Sequence, residues 1–271
     1  MTIPPKPDCW APGYAEAFNL DVVARAYHLR PPYPEGLFTT LAALMVDQPR
    51  TLLDLGSGPG DLARNIVHAA ERVDAVDASL AMIERGRAME HGNHPNLRWI
   101  HGRAEDTRLN PPYALVTAGD SLQWMDWPVT LSRIKAALSP NASLAVVGRA
   151  WGTGLPEERD ILSRFSTNQR FRPLNLIQEL ESRGLFRKRG EKGFTDAWNP
   201  TIEEYVGARR SQASYPRDPN QAEAFDDETR SLLERLLREG RLNTTRGRLG
   251  LSVTSGVVWG TPEAPDSEER R

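Results

Sequence analysis

The sequence predicts a three-layer α/β/α sandwich built on a mostly parallel sheet, with a helical cap added to it. Two observations carry this expectation. Short apolar runs at 51–55, 73–77, 97–100, 114–117 and 143–147 alternate with stretches of helical periodicity, the order that right-handed βαβ crossovers produce. The first run ends in Gly56-Ser57-Gly58-Pro59-Gly60, three glycines within five residues, before helical spacing resumes. Strand, tight glycine loop and helix in that order place a ligand site at the carboxyl edge of the sheet.

The elements follow in chain order. Residues 1–13 contain Pro4, Pro5, Pro7 and Pro12 and are expected to be poorly ordered. Residues 14–27 carry Phe18, Val22, Val23 and Ala26 at helical spacing and are expected to form one helix. Pro31, Pro32 and Pro34 stop it, because proline lacks an amide donor and pushes its predecessor out of helical geometry. A second helix is expected from Glu35 to about Met45, and a third over 61–70 through Leu62, Ile66 and Val67. After the strand at 73–77, Ser79 is placed to cap a helix whose inner face carries Leu80, Met82 and Ile83. Beyond Trp151 the pattern turns mainly helical, most clearly at 174–185 and 229–237, and is read as a cap over the strand ends. The basic run 183–192 reads as a solvated turn. Residues 249–259 return to β-type side chains and are expected to close the sheet as an antiparallel strand. The expected organisation is one domain: an N-terminal helical segment (1–36), a core (37–150), a cap (151–245), a closing strand (246–260) and a disordered tail (261–271).

A formal net charge of −2 leaves no basic excess to neutralise a phosphate backbone, so nucleic acid is not expected as the main partner. The single cysteine, Cys9, has no internal disulfide partner, and the five histidines show no metal-ligand spacing, so no metal is expected. Without a signal-type apolar run or a span-length hydrophobic stretch, the chain is expected to be soluble and cytoplasmic, with no membrane partner. Monomer and homodimer remain equally open.

The glycine loop carries the chemistry. Glycines let a ligand lie against the backbone, and the following helix offers free amides. The spacing here is G-x-G-x-G. In a dinucleotide fingerprint the last glycine comes one position later, where this chain has Asp61, an acid badly placed beside a pyrophosphate. Asp77 ends the next strand, about twenty residues on, where a carboxylate can accept both hydroxyls of an adenosine ribose. Asp74 is the weaker candidate, since strand alternation turns it away.

At these residues the chain resembles the class I S-adenosylmethionine-dependent methyltransferases, in particular the type 11-like branch acting on small molecules. LLDLGSGPGDLA is similar to that family's first motif and AVDASLAMI to its second. Gly102-Arg103-Ala104-Glu105-Asp106 is similar to its adenine-contacting turn, and the stretch from Ala118 through Asp120, Gln123 and Trp124 to Trp127 to its fourth-strand motif. VARAYHLRPPYP also has the look of this branch. The resemblance covers about residues 22–149 and implies a Rossmann-like, seven-stranded fold with S-adenosyl-L-methionine as cofactor.

It further implies that Gly56, Ser57, Gly58 and Gly60 cradle the methionine part, that Asp54 lies near its amino group, and that Asp77 holds the ribose beside Ala78 and Met82. Ala104 and Glu105 flank adenine, Ala118 and Asp120 close the site, and Arg30 or Tyr27 reaches the methionine carboxylate, with a plain surface charge the alternative for Arg30. Tyr27, His28, Gln123, Trp124 and Trp151 are the candidates for the wall that receives a small-molecule acceptor, while Trp127 reads as core packing. Gln123 cannot titrate, so it can orient an acceptor but cannot act as a general base. The expected reaction is methyl transfer by in-line displacement, with positioning as the main catalytic effect. Two other readings stay open at the level of sequence: an NAD(P)-dependent oxidoreductase, and a noncatalytic S-adenosylmethionine- or nucleoside-binding protein.

Overall fold

A computed structural model of the chain describes residues 4–263. Its centre is a seven-stranded sheet formed by β1 (Thr51–Leu55), β2 (Arg72–Asp77), β3 (Leu97–His101), β4 (Tyr113–Gly119), β5 (Leu138–Trp151), β6 (Phe186–Trp198) and β7 (Leu251–Pro262). The strands lie in the order β3-β2-β1-β4-β5-β7-β6, with β1 to β5 parallel and β7 antiparallel to both of its neighbours. All five residues of β1 are buried, as expected of a strand covered on both faces, which reads as a continuous apolar run.

The helices are α1 (Asp21–Ala26), α2 (Glu35–Leu44), α3 (Ala63–Ile66), α4 (Leu80–Arg87), α5 (Trp127–Ala137), α6 (Pro156–Phe165), α7 (Leu176–Ser182), α8 (Ile202–Arg209) and α9 (Pro219–Arg238). One core layer joins Leu37 and Leu41 of α2 and Ile66 of α3 to Leu52, Val73 and Leu115 of the sheet. The other joins Trp127, Leu131 and Ile134 of α5 and Leu180 of α7 to Leu53, Val116 and Leu144. α5 is set by its sequence: Asp126 accepts from the Val129 amide at 3.2 Å, Pro128 follows in the first turn, and the buried residues recur every three or four positions.

The expected three-layer sandwich is present, and several elements depart from expectation. The proline-rich start is packed rather than loose: Cys9 and Trp10 are buried, and Trp10 meets the Trp127 ring edge-on at 5.8 Å. Burial of the Trp10 indole and the Cys9 thiol favours an ordered segment despite its prolines. The single helix expected over 14–27 is broken at Leu20, whose extended backbone separates a 3-10 segment, Pro12–Asn19, from α1. Leu80 is exposed, while Met82 and Ile83 are buried. The basic run 183–192 enters β6, an edge strand whose charged side chains face water and whose two ends, Phe186 and Trp198, are buried. Strand and turn look alike there because an edge strand carries charges that discourage further pairing.

Residues 151–245 hold more than helices: α7 and β6 belong to the sandwich, while α8 and α9 pack around Trp198 and Tyr205 with Trp151 against them, and α6 packs on α9 through Ile161 and Phe225. Arg209 and Tyr205 of α8 and Glu158 of α6 form a buried hydrogen-bonded group between those two helices. The closing strand runs to Pro262 rather than 260, because Thr261 and Pro262 pair with Arg187 and Phe186. Of the tail expected to be disordered, residues 264–271 lie outside the described residues.

Candidate functional site

The site starts from the glycine loop. Gly56, Gly58 and Gly60 all have positive φ, at 63°, 57° and 81°, a region that side-chain-bearing residues avoid. A Cβ on Gly56 would sit 2.6 Å from that of Ser121, and one on Gly60 would sit 2.6 Å from the Trp99 ring. The first glycine thus lets the loop meet the end of β4, and the third lets it pack on β3. The Asp77 carboxylate fastens this loop, accepting the Gly58 amide on Oδ2 and the Ser79 amide on Oδ1, each at 2.7 Å. Burial pushes the Asp77 carboxyl above its ordinary value, against the pull of those two amides. Ser79 caps α4 by accepting from the Met82 amide at 3.3 Å, and its hydroxyl donates to the Phe18 carbonyl at 2.8 Å.

A cavity of about 420 Å³ opens beside the loop at the carboxyl edge of the sheet. Tyr27, Gly56, Gly58, Asp77, Ala78, Met82, Ala104, Glu105, Asp120 and Trp124, all singled out by sequence, line it. Glu105 is pushed up by burial but held below the ordinary carboxylate value by the Asp126 amide at 2.9 Å and by Arg103. Sequence reasoning missed Glu16, Phe18 and Asn19, which reach the cavity from the 3-10 segment, while Arg103, Ser121 and Met125 come from stretches it quoted as motifs without naming them as site residues. The segment carries no motif. Only its fold over Ser79 and Trp124 brings it to the cavity, with Phe18 edge-on to the Trp124 ring at 6.3 Å.

The remaining candidates stand elsewhere. Arg30 donates to the Ser211 hydroxyl and carbonyl and to the Tyr27 hydroxyl, with its guanidinium 3.9 Å from the Tyr27 ring centroid, so it braces Tyr27 from outside the cavity. Ala118 packs inward in the core below β4. Gly60 serves loop packing, as described. His28 donates from Nδ1 to the Arg25 carbonyl, 2.7 Å away, and does not line the cavity. Gln123 is turned back onto the Asp120 carbonyl at 2.8 Å. Trp151 packs against Trp198 and Tyr205 with the Arg209 guanidinium over its ring. Trp127 is buried, with its indole N–H on the Leu122 carbonyl, in keeping with a core role.

Asp54 and Ser57 line a recess behind the loop, of about 10 Å³, together with Tyr27, Tyr33, Asp61 and Arg149. Asp54 accepts the Thr117 hydroxyl at 2.8 Å on one oxygen, and the other oxygen has no partner. Burial raises its carboxyl from the ordinary value to about 7. Arg149 has a side chain only 2% exposed and joins three segments: it reaches Asp61 at 3.0 Å, the Pro31 carbonyl at 2.5 Å and Asp120 at 3.8 Å. Asp120 itself sits at a positive φ of 51°, with its amide on the Val147 carbonyl and its carboxylate 3.4 Å from the Tyr33 hydroxyl. Burial raises the Asp120 carboxyl, and Arg149 opposes that rise.

Among the described residues, no group of three or more His, Cys, Asp or Glu side chains is arranged to hold a metal ion, and no helix is long and apolar enough to cross a membrane.

Residues 52–141 match the family model described as a methyltransferase domain. The chain is 33% identical over 105 residues to a malonyl-[acyl-carrier protein] O-methyltransferase from Halalkalibacterium halodurans, a match covering 36% of this chain and 38% of that protein. The chain therefore matches well under half the length of that curated relative. Its fold is similar to that of a protein from Anaeromyxobacter dehalogenans assigned as a type II methyltransferase, at 21% identity and a TM-score of 0.60, over 87% of this chain and 99% of that one. It is similar also to an S-adenosylmethionine-dependent methyltransferase from Thiobacillus denitrificans in complex with S-adenosylhomocysteine, at 18% identity and a TM-score of 0.51, over 87% of this chain and 96% of that one. The matched methyltransferase domain, residues 52–141, holds the glycine loop, Asp77 and the fourth-strand residues of the cavity, and the sheet around it has the fold of these methyltransferase structures.

Proposed function

We propose that the chain binds S-adenosylmethionine in the 420 Å³ cavity and transfers its methyl group to a small-molecule acceptor. The observation that carries this reading is the placement of Asp77, fixed by the Gly58 and Ser79 amides at the cavity wall, with acceptor capacity left on both oxygens for a ribose diol. The residues fit the cofactor. The positive-φ glycines make a cradle that a Cβ at Gly56 would fill, and the buried Asp54 oxygen that lacks a partner lies behind the same loop. Ala78, Met82 and Ala104 offer apolar walls for a purine, and Glu105 an acceptor beside it.

The cofactor supplies, when bound, a methyl group already activated on a sulfonium sulfur. The protein is left with orientation and the exclusion of water. Arg30 holds Tyr27 in place, Arg149 and Tyr33 hold Asp120, and the 3-10 segment Pro12–Asn19 forms the outer wall. Neither His28 nor Gln123 lines the cavity, which leaves the carboxylates of Glu16 and Asp120 and the Tyr27 hydroxyl, rather than a histidine base, as the titratable groups there outside the nucleoside half.

The test is a thermal-shift titration with S-adenosylmethionine, S-adenosylhomocysteine and NAD. A ligand of the folded state raises the midpoint with its concentration. The two adenosyl ligands are expected to do so and NAD is not; equal stabilisation by NAD would overturn the reading.

A further inference from the structure

We infer that the acceptor is a small amine, received between the carboxylates of Glu16 and Asp120 and against the rings of Phe18 and Trp124; this rests on reading the cavity as an S-adenosylmethionine site.

The cavity wall divides by chemistry. Asp77, Ala78, Met82, Ala104 and Glu105 form the nucleoside half, and the wall that remains comes mainly from the 3-10 segment, the glycine loop, Tyr27, Asp120, Trp124 and Met125. Among the described residues, Arg103 is the one cation on the wall, and its Nε lies 3.3 Å from Glu105, in the nucleoside half. The other nearby cations are spent elsewhere. Arg30 holds Ser211 and Tyr27, Arg149 holds Asp61 and the Pro31 carbonyl and lies 3.8 Å from Asp120 without lining the cavity, and Lys6 donates to the Gln123 and Met125 carbonyls, each at 3.1 Å.

An acceptor bearing a carboxylate or phosphate would therefore face two like charges and meet no cation on the wall of its own half, since Arg149 does not line the cavity, an arrangement that opposes binding. An amine reverses every sign. Its N–H groups are donors where the wall offers carboxylate acceptors, and its charged form is favoured beside aromatic faces such as Phe18 and Trp124. Asp120 is held for this purpose, at a positive φ, by its amide on Val147 and by Tyr33 and the Arg149 amide on its carboxylate. In the transfer, an ammonium first gives one proton to solvent. The freed nitrogen lone pair then forms the N–C bond, and the C–S bond breaks with its electron pair staying on sulfur, so atoms and charge balance.

The experiment uses the full chain saturated with S-adenosylhomocysteine, so that the nucleoside half is filled. Phenethylamine, histamine and ethanolamine are titrated against phenylacetate, benzoate and malonate, reading melting temperature and calorimetric affinity, with transfer of label from S-adenosylmethionine as a further readout. At least one amine is expected to raise the melting temperature further, and E16Q and D120N are each expected to weaken that amine about tenfold or more, the scale of losing a charge-assisted hydrogen bond. Binding by a carboxylate and by no amine overturns the inference, as does binding by none of the six. So does a D120N variant that loses S-adenosylhomocysteine as strongly as amine while E16Q loses neither, since the carboxylates would then serve the cofactor. Failure of the wild type to bind S-adenosylhomocysteine at all would instead sink the cofactor reading beneath it.

Discussion

The Asp77 carboxylate lies 2.7 Å from the Gly58 amide, so the acid at the end of the second strand closes the glycine loop that follows the first. Two motifs nineteen residues apart are one object. The same carboxylate fixes the entry to α4 through Ser79 and faces the cavity.

Replacing Asp77 with Ala is expected to weaken S-adenosylhomocysteine by about 1–3 kcal/mol, because hydrogen bonds to a charged acceptor are lost and the Gly58 and Ser79 amides are left unpaired. Calorimetry on the folded variant measures it. An unchanged dissociation constant would assign Asp77 to loop closure alone.

Trp124 is half-buried, lines the cavity and touches Phe18 edge-on. Trp124→Ala is expected to remain folded, to lose less than the roughly 3–5 kcal/mol of a fully buried aromatic, and to keep its S-adenosylhomocysteine affinity while weakening whatever occupies the acceptor half. Melting curves and calorimetry on the one variant decide. A loss of the full core magnitude would make Trp124 a packing residue.

Asp54 should leave a mark on the pH dependence of stability. Its carboxyl is raised by burial to about 7 in the fold, so between pH of about 4 and 7 the folded chain holds a proton that the unfolded chain has released. Stability from this group is present at low pH and is lost as pH rises through 7, by a few kcal/mol in order of magnitude. Asp54→Asn removes the group, so the stability difference between wild type and variant, from urea unfolding at pH 4 to 8, should drift against the wild type as pH rises. A constant difference would show that Asp54 titrates normally.

Truncation after Gly260 was expected from composition to be harmless, and the fold predicts otherwise. Thr261 and Pro262 pair with β6, the Glu263 amide donates to the Leu185 carbonyl at 2.9 Å, and the Glu263 carboxylate meets Lys135 at 3.0 Å and Arg187 at 3.2 Å. Their loss is expected to cost about 1–3 kcal/mol, a fall of several degrees in melting temperature, relative to a chain cut after Glu263. Equal melting of the two truncations would show the strand end to be dispensable.

What was legible in the sequence is what neighbours in the chain decide. The run 51–55, the glycines at positive φ and the acid ending β2 declare themselves locally, since periodicity and backbone sterics act within a few residues. Ser79 was readable as a cap for the same reason. Edge strand β6 was not, because its exposed arginines and lysines look like any solvated surface until β7 is laid beside it.

The sequence by itself therefore determined the alternation of strands and helices from β1 to β5, the glycine loop and Asp77. Only the tertiary structure decided which side chains share the cavity. Phe18 reaches Ser79 across 61 positions, Arg149 reaches Asp61 across 88, and Arg30 is drawn to Ser211 across 181, away from the cavity wall that its motif suggested. Such contacts depend on burial and on the pairing of charges taken out of water, which no local pattern encodes.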